Sequence, residues 1–204
     1  IVIIDEADRS FGSGGDSAGD DGTSSRIIAK MKEFMSDTAN RGRVLFILMS
    51  NRPDLIDIDL KRAGRLDRKI PFFYPQSETE VSAIGKANAK RNKLNIAEKL
   101  LENTDIWNKM LGYSAADIEA TLLLSQENAA KREEVEVVVT GEDLQNALND
   151  YFPSRNETML RYMEMLAVFE SSNRKYLPEK YANISQEDLQ RQLDGLSLLI
   201  GNRR

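Results

Sequence analysis

The chain opens with the stretch IVIIDEAD, residues 1–8, in which four β-branched apolar residues are followed directly by acids. A short continuous apolar run of this kind is typical of a strand that is buried on both faces of a parallel sheet. In open α/β sheets, ligands bind just outside the carboxyl ends of the strands. We therefore expect a buried first strand, with Asp5 and Glu6 at a ligand-binding edge. The alternative is a buried strand that simply ends in two solvated acids.

A second apolar run, residues 44–49, predicts another strand. Between the two runs, apolar side chains recur at helical spacing and predict a helix from about Ser25 to Asp37. Strand, helix and strand together indicate a βαβ unit with a parallel sheet. Residues 12–22 are rich in Gly, Ser and Asp, which predicts a mobile loop. A third short strand is predicted over Ile70–Tyr74, where Pro75 ends it.

Further polar residues follow the second predicted strand. Asn51 would lie at the same edge as Asp5 and Glu6 if the two strands are neighbours. An amide there could orient a water molecule or touch a terminal phosphate, or it could simply cap the following turn. Further along, Arg62 and Arg65 belong to a basic cluster. This cluster is either a solvated basic face or a pair of guanidinium groups presented to phosphate.

From Ser77 onward the pattern becomes helical. Ser77 and Glu80 have the spacing of a capping box, and Ser114 is a good N-cap for a long helix. Residues 135–139 form a short β-like segment. Helices are expected over residues 77–92, 96–101, 106–111, 115–131, from 140 to the break at 153, over 157–175 and from 185 onward.

Composition excludes several kinds of site. The 204 residues are 41% hydrophobic and 30% charged, which is enough to bury a core. Cysteine and histidine are absent, so disulfides, thiolate chemistry and a histidine general base are excluded. The net charge of −5 argues against broad binding to nucleic acid or to anionic membranes. No apolar run is long enough to span a bilayer. Because a core strand opens the chain without an initiating Met, we expect an N-terminal part to precede it.

Four motifs in order, together with their spacing, carry a family resemblance: IVIIDEAD at 1–8, SNRP at 50–53, DIDLKRAGRLDR at 57–68 and GYSAADI at 112–118. Together they resemble the AAA+ ATPases, in particular the AAA clade of NSF, FtsH and the two-ring unfoldases. The resemblance covers residues 1 to about 155. It implies an α/β fold: part of a P-loop NTPase parallel sheet, then an all-helical lid and a helical C-terminal tail. The implied boundaries are 1–75 for the core, 76–155 for the lid and 156–204 for the tail.

The resemblance also implies roles for individual residues in the core. Asp5 is similar to the Walker B acid, which holds Mg²⁺ mostly through water, and Glu6 to the acid that polarises the attacking water. Asn51 corresponds to sensor 1. Arg62 and Arg65 resemble arginine fingers, which act on ATP bound in the neighbouring subunit. Fingers supplied in this way require a ring of identical subunits, usually a hexamer.

The lid is implied to contribute to nucleotide binding. Ala115 and Ala116 fall at the sensor 2 position, where the backbone approaches the nucleotide, although Ala115 stands where the family has Gly. Asn88 falls near a ribose-contacting position of some members. The loop over residues 12–21 falls where the family has its second pore loop.

The implied cofactors are ATP and Mg²⁺. The implied partner is a protein substrate in the cytoplasm, and neither nucleic acid binding nor a membrane segment is expected.

Two features keep other interpretations open. No GxxxxGK[ST] motif occurs in the chain, so we predict that this chain alone does not bind ATP well. A non-enzymatic AAA-like scaffold is therefore one alternative.

Residues 5–8 also spell the motif of DEAD-box RNA helicases, and residues 62–68 resemble a later helicase motif. In helicases these motifs lie in different domains, whereas here both fall within residues 5–68, so the spacing argues against a helicase.

Overall fold

The computed structural model describes residues 1–11, 21–40, 42–132, 135–153 and 156–201. Contacts divide the chain into a first unit, Ile1–Phe72 with Thr158–Arg204, and a second unit, Phe73–Glu157. In chain order the described elements are β1 (Val2–Ile4), α1 (Ala7–Ser10), α2 (Asp21–Ser36), a 3₁₀ turn (Thr38–Asn40), β2 (Phe46–Leu48), α3 (Glu78–Arg91), α4 (Glu98–Glu102), α5 (Thr104–Asn108), α6 (Ala115–Ala130), α7 (Gly141–Asp150), α8 (Glu157–Glu170), two more 3₁₀ turns (Arg174–Tyr176 and Glu179–Tyr181) and α9 (Gln186–Gly201).

The two strands of the first unit pair in parallel, with Ile4 opposite Leu48. This confirms the predicted parallel pair and its helical crossover. The prediction that the strands are buried on both faces is wrong. Ile4 and Leu48 pack against the core, whereas the residues that precede them, Ile3 and Ile47, are 63% and 39% exposed. The reason is that the core of this unit covers only one face of the pair: burial alternates along β2, and in β1 only Ile4 packs against the core.

The core of the first unit lies on the covered face of the sheet. Its buried members come from α1, α2 and the segment after β2, and partly buried side chains of the strands complete it. Met35 of α2 and Leu60 belong to this core, and Leu60 is fully buried. The buried residues are Ala7, Phe11, Met35, Ile56 and Leu60.

The third predicted strand is not formed. Residues 70–74 form no strand in the described part of the chain, and Phe72 is almost fully exposed. The amino-acid pattern of a strand is insufficient here, because a strand requires the backbone hydrogen bonds of a neighbour. The predicted loop over residues 12–22 and its assignment as a pore loop lie mostly outside the described residues, and α2 already begins at Asp21.

The long helix α8 ends earlier than predicted, at Glu170 rather than near Lys175. Tertiary hydrogen bonds compete with its continuation. The backbone N–H of Ser172 donates to the carbonyl of Lys69 at 3.1 Å. The backbone N–H of Lys69 in turn donates to the Ser172 hydroxyl at 3.1 Å. The short helix α1 was not predicted from the sequence.

The second unit is helical and closes around Trp107, whose indole N–H donates to the Leu100 carbonyl at 3.1 Å. Gly85 makes this packing possible, because a Cβ there would lie 2.3 Å from Cζ3 of the Trp107 ring. The β-like segment forms only an isolated parallel bridge between Ile96 and Val139. The buried core residues are Val81, Leu100, Ile106, Trp107, Met110, Ile118, Leu122, Ala129, Val139 and Leu144.

Side-chain caps begin α3, α6 and α7 where the sequence predicts, whereas the two short helices lie at Glu98–Glu102 and Thr104–Asn108 rather than at 96–101 and 106–111. Ser114 and Asp117 form a complete capping box at α6. Thr140 and Asp143 do the same at α7. At α3, Ser77 accepts from the backbone of residue 80 as predicted, but the Glu80 carboxylate reaches one residue further back, to the N–H of Gln76 at 2.7 Å. No helix in the described part of the chain combines the length and apolar character that a membrane span needs.

Candidate functional site

The carboxyl ends of β1 and β2 meet at one edge of the sheet, because the strands are parallel neighbours. Their hydrogen bonding continues past the strands, where the backbone N–H of Ala7 donates to the carbonyl of Met49 at 2.9 Å. Beyond this bond, the Ser50 hydroxyl donates to the Asp8 carboxylate. The start of α1, directly after Asp5 and Glu6, is therefore joined to the turn after β2 through Ala7 and Asp8.

Asp5 and Glu6 are both exposed at this edge. The backbone N–H of Glu6 donates to Oδ1 of Asp5 at 2.8 Å. Glu6 adopts the left-handed conformation, with φ 49° and ψ 45°, and its carboxylate pairs with the Arg9 guanidinium at 2.7 Å. For a residue other than glycine, this conformation costs ~1–3 kcal/mol and is concentrated at functional sites. The sequence predicts the two acids, but nothing in it shows the turn at Glu6 or the pairing with Arg9.

Asn51 is exposed and lies in the turn that follows β2. The next residue braces this turn, because Arg52 forms a two-point ion pair with Asp54, with N–O distances of 2.9 and 2.7 Å. Burial alone would raise the pKa of Asp54, but the Arg52 guanidinium outweighs it and the pKa is lowered. The Asp54 carboxylate therefore stays ionised and holds the turn that presents Asn51.

The two predicted finger residues differ in their surroundings. The Arg62 side chain is 71% exposed and makes an ion pair with Asp59 at 3.2 Å. Arg65 is half-buried, and it donates to the Ser36 hydroxyl at 2.8 Å and to the Asp59 carbonyl at 2.6 Å. Arg62 is thus presented to solvent, whereas Arg65 fastens the segment to the end of α2.

A tight turn separates the two arginines. Gly64 has φ +88°, a conformation that favours glycine, and its N–H donates to Oδ1 of Asp67 at 2.5 Å. Asp57, which precedes this turn in the chain, lies 2.8 Å from the Lys32 ammonium of α2, and this ion pair lowers the pKa of the Asp57 carboxyl. The Gly and Asp of the sequence motif are therefore explained by local geometry, whereas the link to Lys32 required the structure.

The predicted nucleotide-binding residues of the lid belong to the second unit. Ala115 and Ala116 are exposed in the first turn of α6. Asn88 is buried, and its amide donates to the Ala115 carbonyl at 3.2 Å. Asn88 therefore supports the start of α6 from α3. The hydroxyl of Tyr151 donates to Asp117 at 2.7 Å, and this hydrogen bond raises the pKa of Tyr151 to about 12.

The edge of the sheet offers few protein ligands for a metal. Within the described residues, no group of three potential ligand side chains comes together. Mg²⁺ suits such a site, because it usually keeps several waters and binds through one or two carboxylates together with substrate phosphates. The exposed carboxylate of Asp5 fits that requirement.

Residues 1–74 match the model of the family described as ATPase family associated with various cellular activities (AAA). Residues 1–74 of the chain belong to the AAA ATPase family. The matched stretch contains Asp5, Glu6, Asn51, Arg62 and Arg65. The family and the α/β fold class predicted from the sequence motifs are confirmed.

Individual relatives of this AAA chain agree with that assignment. The Cell division cycle protein 48 homolog of Archaeoglobus fulgidus is 27% identical over 191 residues, 93% of this chain and 25% of the relative. The ATP-dependent zinc metalloprotease FtsH of Acholeplasma laidlawii is 30% identical over 72% of this chain and 22% of its own length. The 26S proteasome regulatory subunit 8 homolog of Encephalitozoon cuniculi is 30% identical over 73% of this chain and 37% of its own length. This AAA chain therefore spans between about a fifth and two fifths of these proteins.

Proposed function

We propose that the protein carrying this AAA chain hydrolyses ATP with Mg²⁺ in a cytoplasmic ring of identical subunits, and that it remodels or unfolds protein substrates. The observation that carries the proposal is the edge where β1 and β2 end side by side. Asp8, close behind the acids that follow β1, is joined there to Ser50, in the turn after β2. In this proposal residues 1–75 belong to the ATPase core, 76–155 to the lid and 156–204 to a C-terminal extension.

In the core, Asp5 holds Mg²⁺, largely through water, and the metal neutralises phosphate charge when it is bound. Glu6 accepts a proton from the attacking water and so polarises it. Asn51 orients that water or the terminal phosphate through its amide. The exposure of all three side chains at the carboxyl edge of the sheet supports these roles.

The arginine pair acts across the boundary between subunits. The exposed Arg62 reaches the phosphates bound in the neighbouring subunit of a hexamer, and Arg65 holds the segment that presents it. In the lid, the backbone at Ala115 and Ala116 approaches the nucleotide, and Asn88 fixes the start of that helix. The similarity to a vesicle-fusing ATPase of Dictyostelium discoideum also supports an ATP-driven activity.

The test is Glu6→Gln in the intact protein. We expect MgATP binding to be kept and hydrolysis to fall ~10²–10⁴-fold, because the variant loses the proton acceptor. Equilibrium binding of labelled ATP and release of phosphate measure the two effects. Glu33→Gln is a matched control, because Glu33 is also exposed and also pairs with a base three residues away, Lys30. Unchanged turnover in Glu6→Gln would overturn the assignment of Glu6 as the acid that polarises water, whereas a wild-type protein without turnover would favour the AAA-like scaffold.

A further inference from the structure

We define residues 62–68 as the arginine segment. The end of α8 contacts the residues that flank this segment on both sides. Lys61 precedes this segment and Lys69 follows it. One oxygen of the Glu170 carboxylate lies 2.6 Å from the Lys61 ammonium, and the other lies 3.0 Å from the Lys69 ammonium. A single carboxylate therefore joins the two flanks of the arginine segment.

The charged side chains of Glu170, Lys61 and Lys69 are largely shielded from solvent. The side chain of Glu170 is 13% exposed, that of Lys61 is 16% exposed, and Lys69 is partly buried. Burial alone would raise the pKa of Glu170, but the hydrogen bonds from the two lysines outweigh it and lower the pKa. The carboxylate is thus ionised and held by two partners. Its removal would leave two ammonium groups without their counter-ion, which is costly for buried groups.

The same network reaches the turn that presents Asn51. The Lys61 ammonium also donates to the Pro53 carbonyl at 2.8 Å. Two turns before Glu170, the Tyr162 hydroxyl lies 3.4 Å from Asp54, and the Arg52 guanidinium stacks over its ring at 5.5 Å. The helix α8 therefore contacts both the turn that carries Asn51 and the flanks of the segment that carries Arg62.

We propose that Glu170 is a positioning residue for the arginine fingers: through Lys61 and Lys69 it fixes the arginine segment relative to the Asn51 turn. The inference rests on the proposed function, since it assigns a task in ATP hydrolysis. Glu170 touches neither nucleotide nor Arg62. It acts by limiting where the exposed Arg62 can reach, and a displacement of ~1 Å in a catalytic group can cost ~10²-fold in rate.

The first test is Glu170→Ala in the intact protein. Turnover of ATP is expected to fall about tenfold to a hundredfold, because the fingers lose their fixed position. Binding of MgATP to the variant is expected to stay unchanged, because its own site remains intact. Glu164→Ala is the matched control: Glu164 lies on the same helix and pairs with Lys180 at 2.6 Å, and within the described residues it forms no ion pair with the arginine segment or its flanking lysines. We expect this control to keep wild-type turnover.

Mixed rings separate positioning from general damage. Glu170→Ala subunits have an intact Glu6, and Glu6→Gln subunits have intact fingers. Mixing the two inactive proteins should therefore restore turnover at the mixed boundaries. Mixing Glu170→Ala with Arg62→Ala should restore none, because neither supplies a working finger. If turnover is not restored with Glu6→Gln, the defect is structural and the positioning role is wrong.

A second variant covers the case in which Glu170→Ala fails to fold. Lys69→Met keeps the pair between Lys61 and Glu170 and releases only the far end of the segment. It should show a smaller loss and the same pattern of restoration; wild-type turnover in Lys69→Met would overturn the inference in that case. If Arg62→Ala itself leaves turnover unchanged, the finger assignment of the proposed function fails. If Arg62→Ala is inactive but Glu170→Ala is fully active, only the present inference fails.

Discussion

The two units differ in how completely they bury their apolar side chains. The second unit closes its helices around Trp107, which is almost fully buried. The first unit pairs two strands and leaves an apolar face open, with Ile3 and Ile47 among the exposed residues. A helix satisfies its backbone hydrogen bonds internally, whereas a strand depends on neighbours. The comparison teaches that a helical core can be complete within a short stretch, while a two-stranded sheet buries only one face well.

The units also use their carboxylates differently. In the second unit, Asp117 and Asp143 accept hydrogen bonds from helix N-termini and so begin α6 and α7. In the first unit, Asp5 and Glu6 are exposed at the sheet edge, and Glu170 holds the arginine segment. The acids of the second unit stabilise the fold, whereas those of the first unit lie at or next to the candidate site.

The largest expected effect tests the first unit as the site of chemistry. Arg62→Ala in the intact protein should lower ATP turnover ~10³-fold or more, because a finger supplied in trans neutralises phosphate charge. Phosphate release measures the effect. Arg68→Ala is the control, because Arg68 is an exposed arginine of the same segment outside the proposed finger pair. Equal losses in both variants would mean that general basic charge, rather than Arg62, matters.

The prediction with the next largest effect compares how much the helical core of the second unit and the open sheet face of the first unit contribute to the free energy of unfolding. Trp107→Ala should lower the free energy of unfolding by ~3–5 kcal/mol, because it opens a cavity in the core of the second unit. Ile47→Ala, on the open face of the sheet, should cost only about 1 kcal/mol. Urea unfolding of this chain, followed by far-ultraviolet circular dichroism, measures both changes. Similar costs would show that the sheet is as tightly packed as the helical core.

The prediction with the smallest effect tests the hydrogen bond between Tyr151 and the Asp117 carboxylate in the second unit. The hydrogen bond to Asp117 raises the pKa of Tyr151 to about 12. Asp117→Asn should return that pKa toward its ordinary value of about 10. Because the folded pKa lies above the unfolded one, this stabilisation is complete below about pH 10 and is lost as the pH rises through about 12. Phenolate absorbance, with Tyr151→Phe to identify the signal, measures the shift. An unchanged titration would contradict the link to Asp117.

Prediction from the sequence succeeded where the governing interactions are local. The caps at Ser114 and Thr140 lie three residues from the acids that complete them, so their spacing is visible in the sequence. The parallel pairing of β1 with β2 follows from two apolar runs on either side of a helix. The third strand was predicted wrongly: residues 70–74 have the amino-acid pattern of a strand but do not form one, because a strand also depends on a neighbouring segment.

The amino-acid sequence by itself predicted the family, the first strand–helix–strand order and the residues proposed for the candidate site, because motif spacing and helix caps depend on close neighbours in the chain. Only the tertiary structure decided which strand faces are buried, that Asn88 supports the start of α6, and that Glu170 joins Lys61 and Lys69. Glu170 lies 109 and 101 residues away from those lysines. The physical reason is that burial and ion pairing depend on which distant segments the folded backbone brings together.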